Sequence, residues 1–158
     1  MRIEQLSDDE LAGQPAAYWT GVAYQALIAF TRARQAEAGF SQPQFWLLRN
    51  LSANDLSPDG AGRTVPELEE AMSDYLRPED DLAASAAELE QRGRLAREGD
   101  RWSITEEGEA ARLEMKRAAP AIRARIHDGI PDADYVTALR VLGRMIANVG
   151  EQGPPGPV

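Results

Sequence analysis

One short segment of alternating residues interrupts a chain whose other periodic stretches have helical spacing. Leu95-Ala96-Arg97 and Trp102-Ser103-Ile104 alternate as the two strands of a hairpin do, on either side of a tip from Glu98 to Arg101. Before and after this segment, apolar residues recur every three or four positions, which is typical of helices. The sequence therefore predicts a mainly α fold that contains a single two-stranded hairpin.

Capping and stop signals set the bounds of the predicted helices. Ser, Thr and Asp favour the position before a helix, proline is tolerated in the first turn, and glycine ends helices. The first predicted helix runs from Ala16 to Ala38, the second begins near Pro43 with Ser41 or Gln42 as its cap, and the third begins in a Thr64–Glu67 capping box. The fourth runs from Pro78 to Gly93. The fifth is capped by Thr105 and continues towards His127 with a kink or break at Pro120, and the last is capped by Asp132 and extends to Val149.

The composition favours one domain in a reducing compartment. The chain has 158 residues, about the length of a single domain, and no cysteine. The absence of cysteine excludes a disulfide framework, a thiol nucleophile and thiolate metal sites. No signal-peptide pattern is visible, and no apolar run approaches the roughly 18 residues of a membrane-spanning helix. We therefore expect a cytoplasmic protein without a membrane segment.

No set of residues predicts catalysis. His127 is the only histidine, and no second ligand stands at a metal-binding spacing from it. It is interpreted as a structural residue, with a histidine-mediated pH response as the open alternative. The Gly60 to Arg63 segment lacks the preceding strand and the Gly-Lys-Ser/Thr of a phosphate loop. We expect no enzyme activity, no metal and no cofactor.

Three segments carry a resemblance to a known family. They are Thr64-Val65-Pro66-Glu67-Leu68, Glu88-Leu89-Glu90-Gln91-Arg92-Gly93, and Trp102-Ser103-Ile104-Thr105-Glu106-Glu107-Gly108. With the order of the predicted elements, they resemble the MarR family of winged helix-turn-helix transcriptional regulators. The last segment is the most specific, because a strand followed by Thr-Glu-Glu-Gly is a frequent ending of the wing in that family.

The resemblance implies a fold and a set of partners. The fold is mainly α, a winged helix-turn-helix with a short two-stranded wing, flanked by N- and C-terminal dimerisation helices. Residues 1–40 and 109–149 would dimerise, residues 41–108 would form the winged domain, and residues 150–158 would be a disordered tail. The homodimer would bind a pseudo-palindromic operator in double-stranded DNA, with recognition helices in successive major grooves. Many members of the family are released from DNA by a small aromatic ligand.

The resemblance also assigns candidate residues to each surface. The predicted DNA contacts are Arg63, Thr64, Arg77, Ser85, Arg92, Arg94, Arg97 and Arg101. The predicted ligand contacts are Trp19, Tyr24, Phe45 and Trp46, for which plain core packing is the alternative. The predicted dimer contacts are Tyr18, Tyr135, Leu139, Leu142, Met145 and Ile146, for which packing within one chain is the alternative.

Charge is where the sequence departs from the family. Residues 63–91 hold nine acidic and two basic residues, a net charge of −7, and the predicted recognition helix has no Arg or Lys. In one interpretation, Glu79, Asp80 and Asp81 form a solvated first turn and compensate the helix dipole. In the alternative they accept hydrogen bonds from DNA bases, although carboxylates repel a negatively charged duplex.

The hairpin, in contrast, is locally basic, with four arginines and two acids over residues 92–101. These arginines would hold phosphates or, alternatively, form a solvated edge with Arg101 paired to Asp100. The tip is shorter than in most family wings.

A second hypothesis follows from the acidic stretch of residues 63–91, that of a winged-helix dimer without duplex binding. Such a dimer would engage a basic protein through its acidic face or bind a small molecule.

Overall fold

Eight α-helices and one β-hairpin form the described part of the chain, residues 3–150 of a computed structural model. A 3-10 turn at Ile3–Gln5 precedes them. The elements are α1 (Asp8–Ala12), α2 (Ala16–Glu37), α3 (Gln42–Leu51), α4 (Val65–Ala71), α5 (Leu82–Gln91), β1 (Leu95–Glu98), β2 (Arg101–Ile104), α6 (Glu106–Lys116), α7 (Ala119–Ile126) and α8 (Asp132–Asn148). The tail predicted to be disordered lies outside the described residues, except for Gly150.

Side-chain caps fix the beginning of several helices. Ser41 and Thr64 each accept a hydrogen bond from the backbone three residues on and complete a capping box, and the Thr105 side chain caps α6. The caps at Thr64 and Thr105 were predicted from the sequence, and Ser41 was one of the two residues, with Gln42, predicted to cap α3. Ser7 and Glu10 form a further capping box that opens α1, a short helix the sequence analysis did not predict.

Helix α5 begins later than predicted. The sequence predicts a start at Pro78, but α5 begins at Leu82, and Asp81 is its N-cap, accepting a hydrogen bond from the Ala84 N–H at 2.9 Å. The three carboxylates at positions 79–81 therefore precede the helix and do not form its first turn. The prediction was wrong because acidic residues in the first turn of a helix and acidic residues just before a helix give the same sequence pattern.

The helices that follow the hairpin agree with the sequence more closely. The predicted break is present, since α6 ends at Lys116 and α7 starts at Ala119 with Pro120 in its first turn. The last helix starts one residue earlier than predicted, because Pro131 occupies the N-cap position and Asp132 is already helical.

The hairpin is the predicted two-stranded sheet, extended by one backbone bridge. Strands β1 and β2 are antiparallel, with Leu95 opposite Ile104 and Glu98 opposite Arg101. The turn between them contains Gly99 at φ 64°, a conformation that favours glycine. The backbone of Arg63 exchanges two hydrogen bonds with that of Trp102, at 2.9 and 2.8 Å. The chain entering α4 is thereby attached to the wing.

The hydrophobic core lies between α3 and α6. The fully buried large side chains are leucines and a methionine of α3, α4, α5 and the residue after α4, namely Leu47, Leu48, Leu51, Leu68, Met72 and Leu89. Trp102 of β2 and Met115 of α6 complete this cluster. The two longest helices contribute almost nothing to it, because α2 has one buried residue and α8 has none.

A buried ionic cluster holds the loop after α3 against α6. The Arg112 side chain, only 5% exposed, contacts Asp55 at 3.0 Å and Glu109 at 2.9 Å. Asp55 also accepts from Arg49 at 3.1 Å, and Glu109 accepts from the Ser52 hydroxyl. Because each of these charges is paired, the cluster fixes the loop that follows α3 against α6.

Candidate nucleic-acid interface and ligand cavity

Helices α4 and α5 form the helix-turn-helix. On its second helix the exposed residues are Ala83, Ala84, Glu88 and Gln91. Ala83, Ala84 and Ala87 lie on the outward side of α5 or beside its groove, and no basic residue stands on this helix. The Ser85 hydroxyl donates to the Asp81 carbonyl at 2.9 Å, so it is bonded within its own turn. The outward face can therefore offer alanine methyl groups to base edges at its N-terminal end, with Glu88 and Gln91 as its exposed polar side chains further along.

The acidic residues before α5 are bonded within the protein. Asp80 accepts two hydrogen bonds from the guanidinium of Arg32 on α2, both at 2.7 Å, and a third from the Arg77 N–H at 2.8 Å. Glu79 pairs with the Arg77 side chain at 2.9 Å. The Asp80 side chain is only 6% exposed. The sequence interpretation of a solvated, dipole-compensating turn was therefore wrong for Asp80, whose partner lies 48 residues away.

This ion pair changes the acidity of Asp80. The Arg32 hydrogen bonds lower the pKa of the Asp80 carboxyl below its usual value, more than burial raises it, and the Arg77 N–H lowers it further. Arg32 also donates through Nε to Gln42 Oε1 at 2.8 Å. Arg32 therefore links α2 to the first residue of α3 and to the segment that precedes α5. Nothing in the local sequence marks Arg32, so the sequence analysis missed it.

The arginines of the hairpin form the basic side of the candidate interface. Arg97 lies over the Trp102 ring at 5.3 Å, with Glu90 at 3.9 Å, and remains half exposed. Arg101 is held by the Gly62 carbonyl at 2.8 Å and by Glu67 at 3.2 Å. The alternative that paired Arg101 with Asp100 is thus wrong. The partner is the carboxylate that also caps α4.

The remaining predicted DNA contacts differ in their exposure and in the groups that they contact. Arg92 is exposed at the end of α5, and Arg63 and Arg94 are half-buried beside the hairpin. The Thr64 hydroxyl is used by the α4 cap. Arg77 faces α2, where it donates to Gln25 at 3.2 Å. Arg97 and Arg101 thus stand on the hairpin itself and Arg92 precedes it at the C-cap of α5, whereas Arg77 contacts α2.

A cavity of about 650 Å³ lies where α2 and α3 meet α6, α7 and α8. Its walls are largely apolar, and Phe45 is the only predicted ligand residue among them. Trp46 stacks on Tyr75 at 4.0 Å, Trp19 donates to Gln14 at 3.4 Å, and Tyr24 is exposed. The lining residues that the sequence analysis did not predict as ligand contacts include Thr31, Gln35, Phe40, Met115, Lys116, Arg123, His127 and Tyr135.

The predicted dimer residues form an apolar surface on the terminal helices. Tyr18, Leu139, Met145 and Ile146 are 58%, 50%, 43% and 40% exposed. Leu142 and Tyr135 are half-buried, and the Tyr135 ring lies 4.2 Å from that of His127. A 17-residue helix without one buried residue is unusual for a helix in water.

Among residues 3–150, no helix is long and apolar enough to cross a membrane. The same residues contain no group of three or more His, Asp or Glu side chains placed to hold a metal ion.

These elements define a winged helix-turn-helix protein with long terminal helices. At the level of sequence the chain matches no family profile and no curated protein. Its fold is similar to that of solved MarR family proteins, as the sequence predicted. A MarR family regulator from Silicibacter pomeroyi is 19% identical, with a TM-score of 0.64 over 91% of this chain and 99% of that one.

Two further structures have the same fold. The MarR family protein Rv2887 of Mycobacterium tuberculosis, in complex with DNA, is 22% identical, with a TM-score of 0.62 over 87% of this chain and 99% of that one. BpsR of Bordetella bronchiseptica, described with regulation of its DNA binding by 6-hydroxynicotinic acid, is 20% identical, with a TM-score of 0.60 over 84% and 94%.

Proposed function

We propose that this protein is a homodimeric transcriptional regulator that binds double-stranded DNA and responds to a small organic ligand. The observation that carries the proposal is the internal pairing of the acidic residues before α5. Because Asp80 and Glu79 are bonded to Arg32 and Arg77, they do not point a block of free carboxylates into a DNA groove. The outward alanines of α5 then lie beside the arginines of the hairpin.

Helix α5 and the hairpin would make different kinds of contact with DNA. Helix α5 would enter a major groove, where methyl groups contact thymine methyls, and hairpin arginines would contact phosphates or enter the adjacent minor groove. Phosphate contacts supply affinity without sequence information, so we expect the arginines to set the strength of binding. The two winged domains of a dimer would occupy two half-sites, and the apolar faces of α2 and α8 would join the subunits.

The cavity supports the ligand response. It lies between the terminal helices and the winged domain, and its volume of about 650 Å³ is within the range of small-molecule sites. A ligand there touches α2, which also holds Asp80 through Arg32. Binding can therefore change the position of the recognition helix relative to the dimer, and with it the spacing of the half-sites.

The test is binding of the purified protein to labelled fragments of its own promoter region, by fluorescence anisotropy at low and moderate salt. Scrambled duplexes of equal length serve as competitor. We expect specific retention that weakens as salt rises. Absence of retention at low salt, on these fragments and on a random genomic pool, would overturn the proposal. It would favour the alternative, a winged-helix dimer without duplex binding that engages a basic protein through its acidic helix-turn-helix face or binds a small molecule.

A further inference from the structure

Two polar contacts hold the turn between α4 and α5 against the long helix α2. Arg32 of α2 donates through both terminal nitrogens to the two Asp80 oxygens at 2.7 Å, and Gln25 of α2 accepts from the Arg77 side chain at 3.2 Å. Arg77 and Asp80 are themselves joined, because the Arg77 N–H donates to Asp80 at 2.8 Å. These four residues form the α2–turn contact.

One face of α2 connects this contact to the predicted dimer surface. Gln25 and Arg32 are seven residues apart and therefore lie on the same face, about two helical turns from each other. Tyr18 lies on that face a further seven residues towards the N-terminus, and it is 58% exposed. Along its whole length α2 buries only Gln35. Because so little of α2 is buried, its polar contacts matter for its position relative to the winged domain.

The geometry of the Arg32–Asp80 pair suits the positioning of two elements. A guanidinium that meets a carboxylate with two hydrogen bonds fixes the orientation of the groups as well as their distance. As a source of stability such a pair is weak, because removing both charges from water offsets much of their attraction. Apolar side chains of similar size would hold the turn to α2 as well. The pair is therefore best explained by the one relative position of α2 and the turn that it permits.

We propose that the α2–turn contact sets the separation of the two α5 helices in the dimer, and with it the spacing of the half-sites that the protein binds. The turn ends at Asp81, the N-cap of α5, so a shift of the turn along α2 also shifts α5. A helix that is fixed relative to α2 is fixed relative to the partner subunit, which meets α2 on the Tyr18 face. Arg32 and Asp80 act as positioning residues. The proposal rests on the homodimeric regulator proposed above and adds the residues that determine its half-site spacing.

The precision required of this contact is that of one base pair. Recognition helices that enter successive turns of a duplex stand about 34 Å apart. Neighbouring base pairs are about 3.4 Å apart along the duplex. Two helices whose separation varies by more than this rise fit more than one spacing, and the protein then loses its preference between them.

The test measures the distance between the two α5 helices in the full-length protein without DNA. The chain has no cysteine, so Gln91→Cys gives a single site for a nitroxide spin label, at the exposed end of α5 far from Asp81. Double electron–electron resonance gives the distribution of distances between the labels of the two subunits. We expect Arg32→Met and Asp80→Asn each to broaden this distribution by more than about 3.4 Å, the rise of one base pair. The double variant should be no broader than Arg32→Met, because both changes remove the same contact.

Arg34→Met is the matched control, because Arg34 stands on the same helix and pairs at 2.8 Å with Glu37 of that helix. It should leave the distance distribution unchanged. Circular dichroism and light scattering establish that each labelled variant is folded and dimeric at the temperature at which the samples are prepared. A contact that served stability alone would lower the melting temperature of Arg32→Met and leave the distances of the folded dimer as they are in the parent.

Binding to DNA gives the second readout. The probes are the operator fragment found in the promoter experiment and the same fragment with one base pair inserted between its half-sites. We expect the insertion to weaken binding of the parent about tenfold, within the range of one mismatched base pair. It should weaken binding of Arg32→Met less, while Arg34→Met should discriminate as the parent does.

The outcomes separate this proposal from the regulator itself. Unchanged distances in both Arg32→Met and Asp80→Asn would overturn the proposal, as would full retention of the spacing preference in Arg32→Met; duplex binding in either case would leave the regulator standing. Broadened distances in a protein that binds no duplex would refute the regulator and leave only the control of α5 by α2. A parent that gives no distance between subunits would overturn both this proposal and the homodimer.

Discussion

At the scale of single residues, the contact between Arg32 and Asp80 has the clearest energetic consequence. The Asp80 carboxylate is nearly buried and receives three hydrogen bonds, two of them from Arg32. We expect Arg32→Met to lower the free energy of unfolding by about 2 kcal/mol, since a charged acceptor loses its main partner. Chemical denaturation of Arg32→Met, Asp80→Asn and the double variant measures the coupling. Glu79→Gln, at an exposed position beside Asp80, is the control and should change little.

The same contact predicts a dependence of stability on pH. Because Asp80 has a lowered pKa in the folded protein, its contribution is complete above the pKa of a free aspartate, about 3.9, and is lost as the pH falls below it. Between about pH 5 and pH 2, the parent should therefore lose more stability than Asp80→Asn. Parallel acid titrations of both proteins followed by circular dichroism would show this, and curves of equal slope would contradict it.

Gly108 gives a second prediction at this scale. A Cβ atom there would lie 2.0 Å from the Arg94 carbonyl oxygen and 2.7 Å from Ile104 Cγ1. Because the carbonyl belongs to the backbone, it cannot move away cheaply, and Gly108→Ala should cost about 3 kcal/mol. Gly13→Ala is the matched control, since its nearest contacts are at 3.7 and 3.8 Å. Thermal melts of the two variants measure the difference, and equal melting temperatures would refute this close packing.

At the scale of elements, the sequence predicted what is local and missed what is long-range. The capping boxes at Ser41 and Thr64 and the break near Pro120 depend on residues within four positions of one another, so they could be predicted. The start of α5 could not, because Asp80 is bonded to a residue on another helix. For the same reason the cavity residues on α2 and α7 were missed, as nothing near Gln35 in the sequence indicates what packs against it.

The hairpin gives an element-scale prediction for DNA binding. Arg97 and Arg101 are its half-exposed arginines, and each phosphate contact contributes to the slope of log affinity against log salt. We expect Arg97→Ala with Arg101→Ala to weaken binding to all duplexes and to lower that slope by about 1 to 2. Arg117→Ala at the C-cap of α6, which removes an exposed arginine away from the hairpin, should do neither. Anisotropy titrations at several salt concentrations distinguish these results.

Glu67 should act against DNA binding through the same element. Its pKa is lowered first by the Thr64 N–H and also by Arg101, which it holds at 3.2 Å. Glutamine at this position keeps the capping box but releases the guanidinium. We expect Glu67→Gln to raise duplex affinity more than Glu69→Gln, which removes the same charge from an exposed position on the same helix. Equal effects of the two variants would mean that the gain is due to net charge alone.

At the scale of the whole molecule, the exposed apolar faces of the terminal helices favour a dimer. Leu139 and Ile146 are 50% and 40% exposed, and the core of the chain stops at α6. We expect Ile146→Glu to leave a monomer or an unfolded chain, because a buried carboxylate would interrupt the shared apolar face. Thr137 lies on the opposite side of α8 from Leu139 and Ile146, so Thr137→Glu adds the same charge outside that face and should leave the dimer intact. Light scattering gives the mass of both proteins, and circular dichroism shows whether Ile146→Glu is folded. A dimer that survives Ile146→Glu would exclude this face as the interface, and a monomeric parent would exclude the homodimer itself.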